Sequence, residues 1–253
     1  MKHFYLLLLA ALLHGHAYGQ LDSVYLHLDT TQLTTNFFWD EFQDHQFPPK
    51  PNEATPLQPG RIRNIIQHLD RFEVHDNLGL LPGYAEFHAN NENLRMQNNC
   101  IPITIIDIKY NHIDTNAVID GRLFLANNEL HQLPNASVFG ESQTTLIYAD
   151  IKDYEAGTYS FCLSPTQFFH NYGDAPAAIR IDFGDGLGLR DIVIGQSIQV
   201  TYGTNDQERT LHAEITRGDE VHHGLMQLRS NNCSSTFADP TFPAPFPNNA
   251  TAE

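Results

Sequence analysis

Positive charge is scarce in this chain: 14 Lys and Arg stand against 30 Asp and Glu, for a formal net charge of −16. Such a surface repels phosphate backbones and anionic headgroups, which excludes nucleic acid as a partner. Long apolar runs are missing beyond residue 13. A spanning helix needs about 20 such residues, so no membrane span is expected. Cysteine is sparse, with only Cys100, Cys162 and Cys233. An odd number leaves at least one thiol unpaired or paired between chains. Cys100 and Cys162 both lie in strand-like apolar segments, so a bridge between them and two buried thiols are both open readings, and Cys233, in a polar tail, could pair with either. At this length a core forms without disulfides.

The motifs of common chemistries are missing too. There is no H-E-x-x-H and no C-x-x-C, which removes the usual zinc spacings. Gly140-Glu141-Ser142 lacks the second glycine of a G-x-S-x-G elbow. Ser164 before Pro165 reads as a loop residue or helix cap. The glycines at 184, 186 and 188 stand beside Asp182 and Asp185, which would repel a phosphate. His222 and His223 are adjacent, and adjacent strand residues point to opposite faces, so they cannot share one metal without a bend. They read as exposed polar histidines near a Gly-Asp hairpin turn. His68 and His75 read as surface residues. No residue is assigned a catalytic, cofactor-binding or metal-binding role, no cofactor is expected, and the chain reads as a non-enzyme.

What is present begins at the N-terminus. Met1, Lys2 and His3 precede an apolar run from Phe4 to Leu13, followed by small and polar residues through Gly19 and Gln20. These are the three parts of a secretory signal, with cleavage expected after Ala17 or Gly19. Residues 1–20 are therefore a leader, and the mature chain is expected outside the cytoplasm, secreted or at a cell surface.

Residues 21–60 read as an extended segment. Phe37, Phe38 and Trp39 form an aromatic cluster expected to dock on a core, and Pro48, Pro49, Pro51, Pro56 and Pro59 mark a linker. Ile62, Ile65, Ile66, Leu69 and Phe72 recur at spacings of three and four, the pattern of one amphipathic helix. From Cys100 onward, β-rich stretches at Ile101–Tyr110, Arg122–Ala126, Thr144–Ile151 and Thr158–Leu163 are separated by Asn, Pro, Gly and Asp. Strict alternation follows in Ile179–Phe183, Ile198–Tyr202 and Leu211–Ile215. Period two means one face on a core and the other in water. The fold class is mostly β, as two sandwich-like modules: 61–175 with the helix, and 177–229. Residues 230–253, rich in Pro and Asn, read as a linker or unstructured end.

The segment Ile181-Asp182-Phe183-Gly184-Asp185-Gly186 resembles the strand-turn signature of PKD-like domains, the Ig-like sandwiches of cell surfaces. Val200-Thr201-Tyr202-Gly203 and the Leu211–Ile215 strand look like the later part of that module. The wider layout, with DTTQLTTNFFWD early and SPTQFFHNYGDAPAAIRIDFGDGLGLRDI late, looks like N-terminal regions of large secreted Bacteroidetes proteins, in some of which an α/β-hydrolase or sorting domain follows. The resemblance implies a spacer or interaction module with a protein or glycan partner, as a truncated N-terminal region of a larger secreted protein; an accessory region of a secreted hydrolase and a carbohydrate-binding module are the alternatives. Asp182, Asp185 and Asp191 could offer oxygens to Ca²⁺, but Gly184 stands where a loop of that type needs its second ligand, so a hairpin turn is expected. Tyr154, Tyr159, Phe168, Phe169 and Tyr172 are expected to fill a seam between the two modules rather than to bind sugars.

Overall fold

A computed structural model describes residues 27–35, 37–39, 56–66, 84–127, 129–151, 154–203 and 208–228. The expected leader, the centre of the proline-rich linker, Leu69, Phe72, His68, His75, Cys233 and the 230–253 tail lie outside the described residues. The protein is mostly β. Its strands are β1 (Ile101–Ile113), β2 (Leu123–Ala126), β3 (Glu129–Gln132), β4 (Phe139–Ala149), β5 (Gly157–Cys162), β6 (Phe168–His170), β7 (Ala178–Asp182), β8 (Leu189–Asp191), β9 (Ser197–Tyr202), β10 (Arg209–Arg217) and β11 (Glu220–Leu228). Among the described residues three α-helices accompany them: α1 (Pro59–Ile66), α2 (Tyr84–Asn98) and α3 (Thr115–Ile119).

The isoleucine-rich β1 organises the first sheet. It is buried on both faces from Pro102 to Ile108, which is why its sequence runs apolar instead of alternating. β4 lies antiparallel along one edge, from Ile103↔Ala149 to Ile113↔Phe139. The other edge is shared by separate pieces of chain. β5 pairs in parallel at Ile101 and Pro102, and β6 in parallel at Ile105–Asp107. At Lys109 a side chain continues the ladder: the Asn171 amide accepts from Lys109 N at 2.8 Å and donates to Lys109 O at 2.7 Å. At Asn111 the aromatic segment takes over, with Asn111 N donating to Phe37 O and Trp39 N to Asn111 O, both at 2.8 Å. The Asn111 carboxamide accepts from Thr34 N, Thr35 N and Thr35 Oγ1 and donates to Thr34 Oγ1 and Gly140 O. Phe37 and Trp39 are thereby held in the core, as their sequence cluster implies.

The second sheet runs β11-β10-β7-β8 and packs on β4. Its inner face carries Ile179, Ile181, Leu211, Ala213, Ile215 and Met226. Gly224 lets the two sheets approach closely: a Cβ there would lie 3.2 Å from Thr145 O and 3.3 Å from Ile147 N. A smaller core of Leu28, Ile113, Ala117, Leu123, Leu130 and Val138 sits under the β2–β3 ribbon.

Three features add to the sequence expectations. The first concerns the two modules: β5, from the first segment, pairs with β9, from the second, over Gly157↔Tyr202 to Cys162↔Ser197. One core cluster contains residues from both sides of the 175/177 division. β9 thereby completes the edge of the first sheet, in the order β4-β1-β5-β9. The second concerns the helices. α1 buries Ile62, Ile65 and Ile66 as the spacing predicts, starting at Pro59, whose missing N–H costs nothing at a first helical position. It is joined by the 15-residue α2, which buries only Phe87 and Asn91 and so shows no strong apolar period. Asn99, at φ 47°, ends α2 in the left-handed conformation. The third concerns the linker, whose last residues dock: Leu57 N donates to Leu225 O, and Leu57 O accepts from Gln227 N.

Candidate functional site

β1 carries one carboxylate into its buried stretch. Asp107 has no solvent exposure, and its cross-strand partner Thr145 donates to Oδ1 at 2.9 Å. From the second sheet, Arg217 Nε reaches Oδ2 at 2.7 Å and His222 Nδ1 reaches Oδ1 at 2.8 Å. Arg217 lies over the Tyr172 ring at 4.1 Å and donates to Asp174 O through Nη1. His170, close by, is held below the usual histidine pKa by burial first and by the Arg217 charge second. The Asp–His pairing resembles half of a catalytic triad, but His222 is only 2% exposed and its second nitrogen faces Glu220 at 3.4 Å. No described serine or cysteine stands at that nitrogen. The cluster joins the sheets.

His222 was expected at the surface. It is buried because it shares the inner face with its register partner Ile215, while His223 faces out, as strand alternation requires. The outward side of β10–β11 brings together His212, Glu214 and His223. Glu214 and His223 are direct cross-strand partners, and His212 lies two residues before Glu214 on the same face. His212 Nε2 is 3.0 Å from His223 Nδ1, and Glu214 Oε1 is 3.8 Å from that same Nδ1. Glu214 Oε2 is held by Arg180 Nη2. Burial, then the neighbouring His223, lowers the His212 pKa.

A second group, His27, Glu129 and His131, lies beside the β2–β3 ribbon. His27 Nε2 is 2.7 Å from Glu129 Oε2, and His131 Nε2 is 3.9 Å from it. The two imidazoles stack at 4.4 Å with planes 12° apart, and Phe124 extends the column. In-plane lone pairs of stacked rings run side by side, so this arrangement is a His27–Glu129 hydrogen bond with a stacked lid.

The 181–186 segment forms the expected turn between β7 and β8. Asp182 Oδ1 accepts from Gly184 N at 2.8 Å, Asp185 Oδ1 accepts from Leu187 N, and Asp185 Oδ2 pairs with Arg190 at 2.7 Å. Both carboxylates thus serve the turn itself. Gly184 has φ +71°, and a Cβ there would meet Thr210 O at 2.9 Å, whereas Gly186, at φ +87°, has open space. Gly186→Ala is therefore expected to cost about 1 kcal/mol, the left-handed penalty alone. Gly184→Ala should cost about 2–3 kcal/mol because backbone must also move. Urea unfolding of the two variants checks this ordering, and equal losses would contradict it.

Ser142 lies within β4, and Ser164 caps a 3-10 turn by accepting from Thr166 N. Tyr154 packs in the shared core against Tyr202, with Phe168, Phe169 and Tyr159 partly buried against the same cluster, so they fill a sheet interior. A cleft of about 190 Å³ between α1, α2 and β4 is lined by Arg63, Tyr84, Asn91, Arg95, Tyr148 and Asp150, among others, with Arg95 bound to Asp150 at 3.2 Å. Among the described residues no helix is long and apolar enough to cross a membrane.

No protein-family model, curated protein or solved structure matches this chain.

The function must therefore be argued from its own chemistry. Sequence reading missed two arrangements. Asp107 had a signal: a lone acid inside the Ile101–Ile108 run needs a buried partner. The His212–His223 pair also had one, because Gly218-Asp219 is a two-residue hairpin loop that fixes which residues face each other.

Proposed function

We propose that the protein is an exported, non-catalytic β-sandwich that serves outside the cytoplasm as a spacer or interaction module for a protein or glycan partner, with a PKD-like strand-turn at 181–186. The observation that carries the extracytoplasmic part of this reading is the disulfide between Cys100 and Cys162. Structural disulfides persist in oxidising compartments and are rare in the cytosol, which agrees with the leader-like residues 1–20. The non-catalytic part is supported by where the reactive groups go: Asp107 and His222 bind each other between sheets, and Asp185 closes its own turn.

Expression of the full chain with a C-terminal tag, followed by fractionation and intact-mass measurement, tests the proposal. The extracytoplasmic fraction should hold a product beginning at residue 18 or 20 with Cys100 and Cys162 oxidised. Recovery in the cytosol with an intact leader and reduced cysteines would overturn it.

A further inference from the structure

We propose that the outer face of β10–β11 is a binding site for a divalent first-row transition ion of the zinc class, with His212, Glu214 and His223 as its protein ligands. The site is independent of the export reading and rests on strand geometry. A two-residue loop with Gly218 at φ +55° sets the hairpin register, so Glu214 stands opposite His223 and His212 lies on the diagonal. Three ligand atoms then lie within 4.8 Å of one another on two paired strands. Zinc bound at 2.0–2.1 Å with tetrahedral angles separates its ligand atoms by about 3.3 Å. The observed 3.0 Å and 3.8 Å bracket that spacing, so small side-chain rotations close the site.

The surroundings suit a cation. Arg180 holds the far oxygen of Glu214 and leaves Oε1 to the ion, the outer hydrogen bond that ligating carboxylates characteristically have. Cross-strand from Arg180 stands Asp191, and from His212 stands Asp182, so acidic side chains outnumber the one arginine on this face. Two imidazoles and one carboxylate favour zinc, copper or nickel over magnesium or calcium, which take all-oxygen shells. His223 is 48% exposed, so the ion keeps a solvent-facing position for water or a partner's ligand.

The His27–Glu129–His131 group requires a control. Zinc titration calorimetry is run on the full chain carrying His27→Gln and His131→Gln, and on that chain with His212→Gln or His223→Gln added. Removing even an outer partner costs about 10–100-fold in affinity, so losing a ligand should cost more than about 100-fold. Zinc should also raise the thermal midpoint of the parent and leave that of the His223→Gln chain unmoved. His223 is on the surface, so its loss leaves the fold intact, which circular dichroism verifies. Zinc uptake unchanged by both substitutions, or none at submillimolar zinc, would overturn the site.

Discussion

Replacing Cys100 and Cys162 together by alanine is expected to lower the unfolding free energy by about 3–4 kcal/mol. The bridge spans a sequence separation of 62 residues, with Cα atoms 5.9 Å apart. Chain-entropy arguments give about 3 kcal/mol for a 15-residue loop and about 4.7 for one of 100 residues, so this loop falls near 4. The folded state should change little. Backbone pairing at Ile101↔Phe161 and Pro102↔Cys162 holds the same two segments in register beside the sulfurs. The loss therefore arises in the unfolded chain, where the segments of β1 to β5 would no longer be confined to a closed loop. Urea unfolding of the oxidised chain and of the double variant measures it. A reductant should reproduce the loss in the parent and do nothing to the variant. A difference below about 1 kcal/mol would show that the unfolded chain is already compact without the bond.

The disulfide also shows how far the sequence reaches. Cys100 immediately precedes one recognisable strand and Cys162 ends another, but pairing them requires knowing that β1 and β5 are parallel neighbours, which no local pattern states. Strands with one wet face were legible: Ile179, Ile181, Leu211, Ala213 and Ile215 alternate, and each is buried. The helix over Ile62–Ile66 was legible for the same reason. α2 was not, because Asn91 occupies its buried stripe where an apolar residue would have signalled the period. The partner of β9 was not legible: its alternation is correct, but it pairs with β5, some forty residues earlier. Periodicity gives the face of a strand and is silent on its neighbour. The histidines illustrate both halves. Opposite faces for His222 and His223 followed from alternation, while the partners Asp107 and His212 came only with register.

Asp107→Asn should be among the most damaging single changes in the protein, at about 3–5 kcal/mol. The carboxylate is fully buried, Arg217 is 9% exposed and His222 2%, so solvent cannot replace what is lost. Asparagine would keep the shape but set an amide donor against groups that already donate, and would leave the Arg217 charge without its counter-ion. Arg217→Met leaves the opposite charge stranded and should cost a similar amount. If the two are one unit, Asp107→Leu with Arg217→Met should fall short of the sum of those single variants by about 1–3 kcal/mol, since neither charge is then left alone. Urea midpoints of the four chains decide it, and simple additivity would mean that the ion pair adds nothing to the sandwich. The consequence extends past stability. A one-residue slip of β11 would send His222 outward and His223 into the core. Only the native register lets His222 reach Asp107 while His223 meets His212 and Glu214 outside. The buried carboxylate thus reinforces, from the inner face, the register that the Gly218-Asp219 loop sets, and the same register assembles the proposed metal ligands on the outer face.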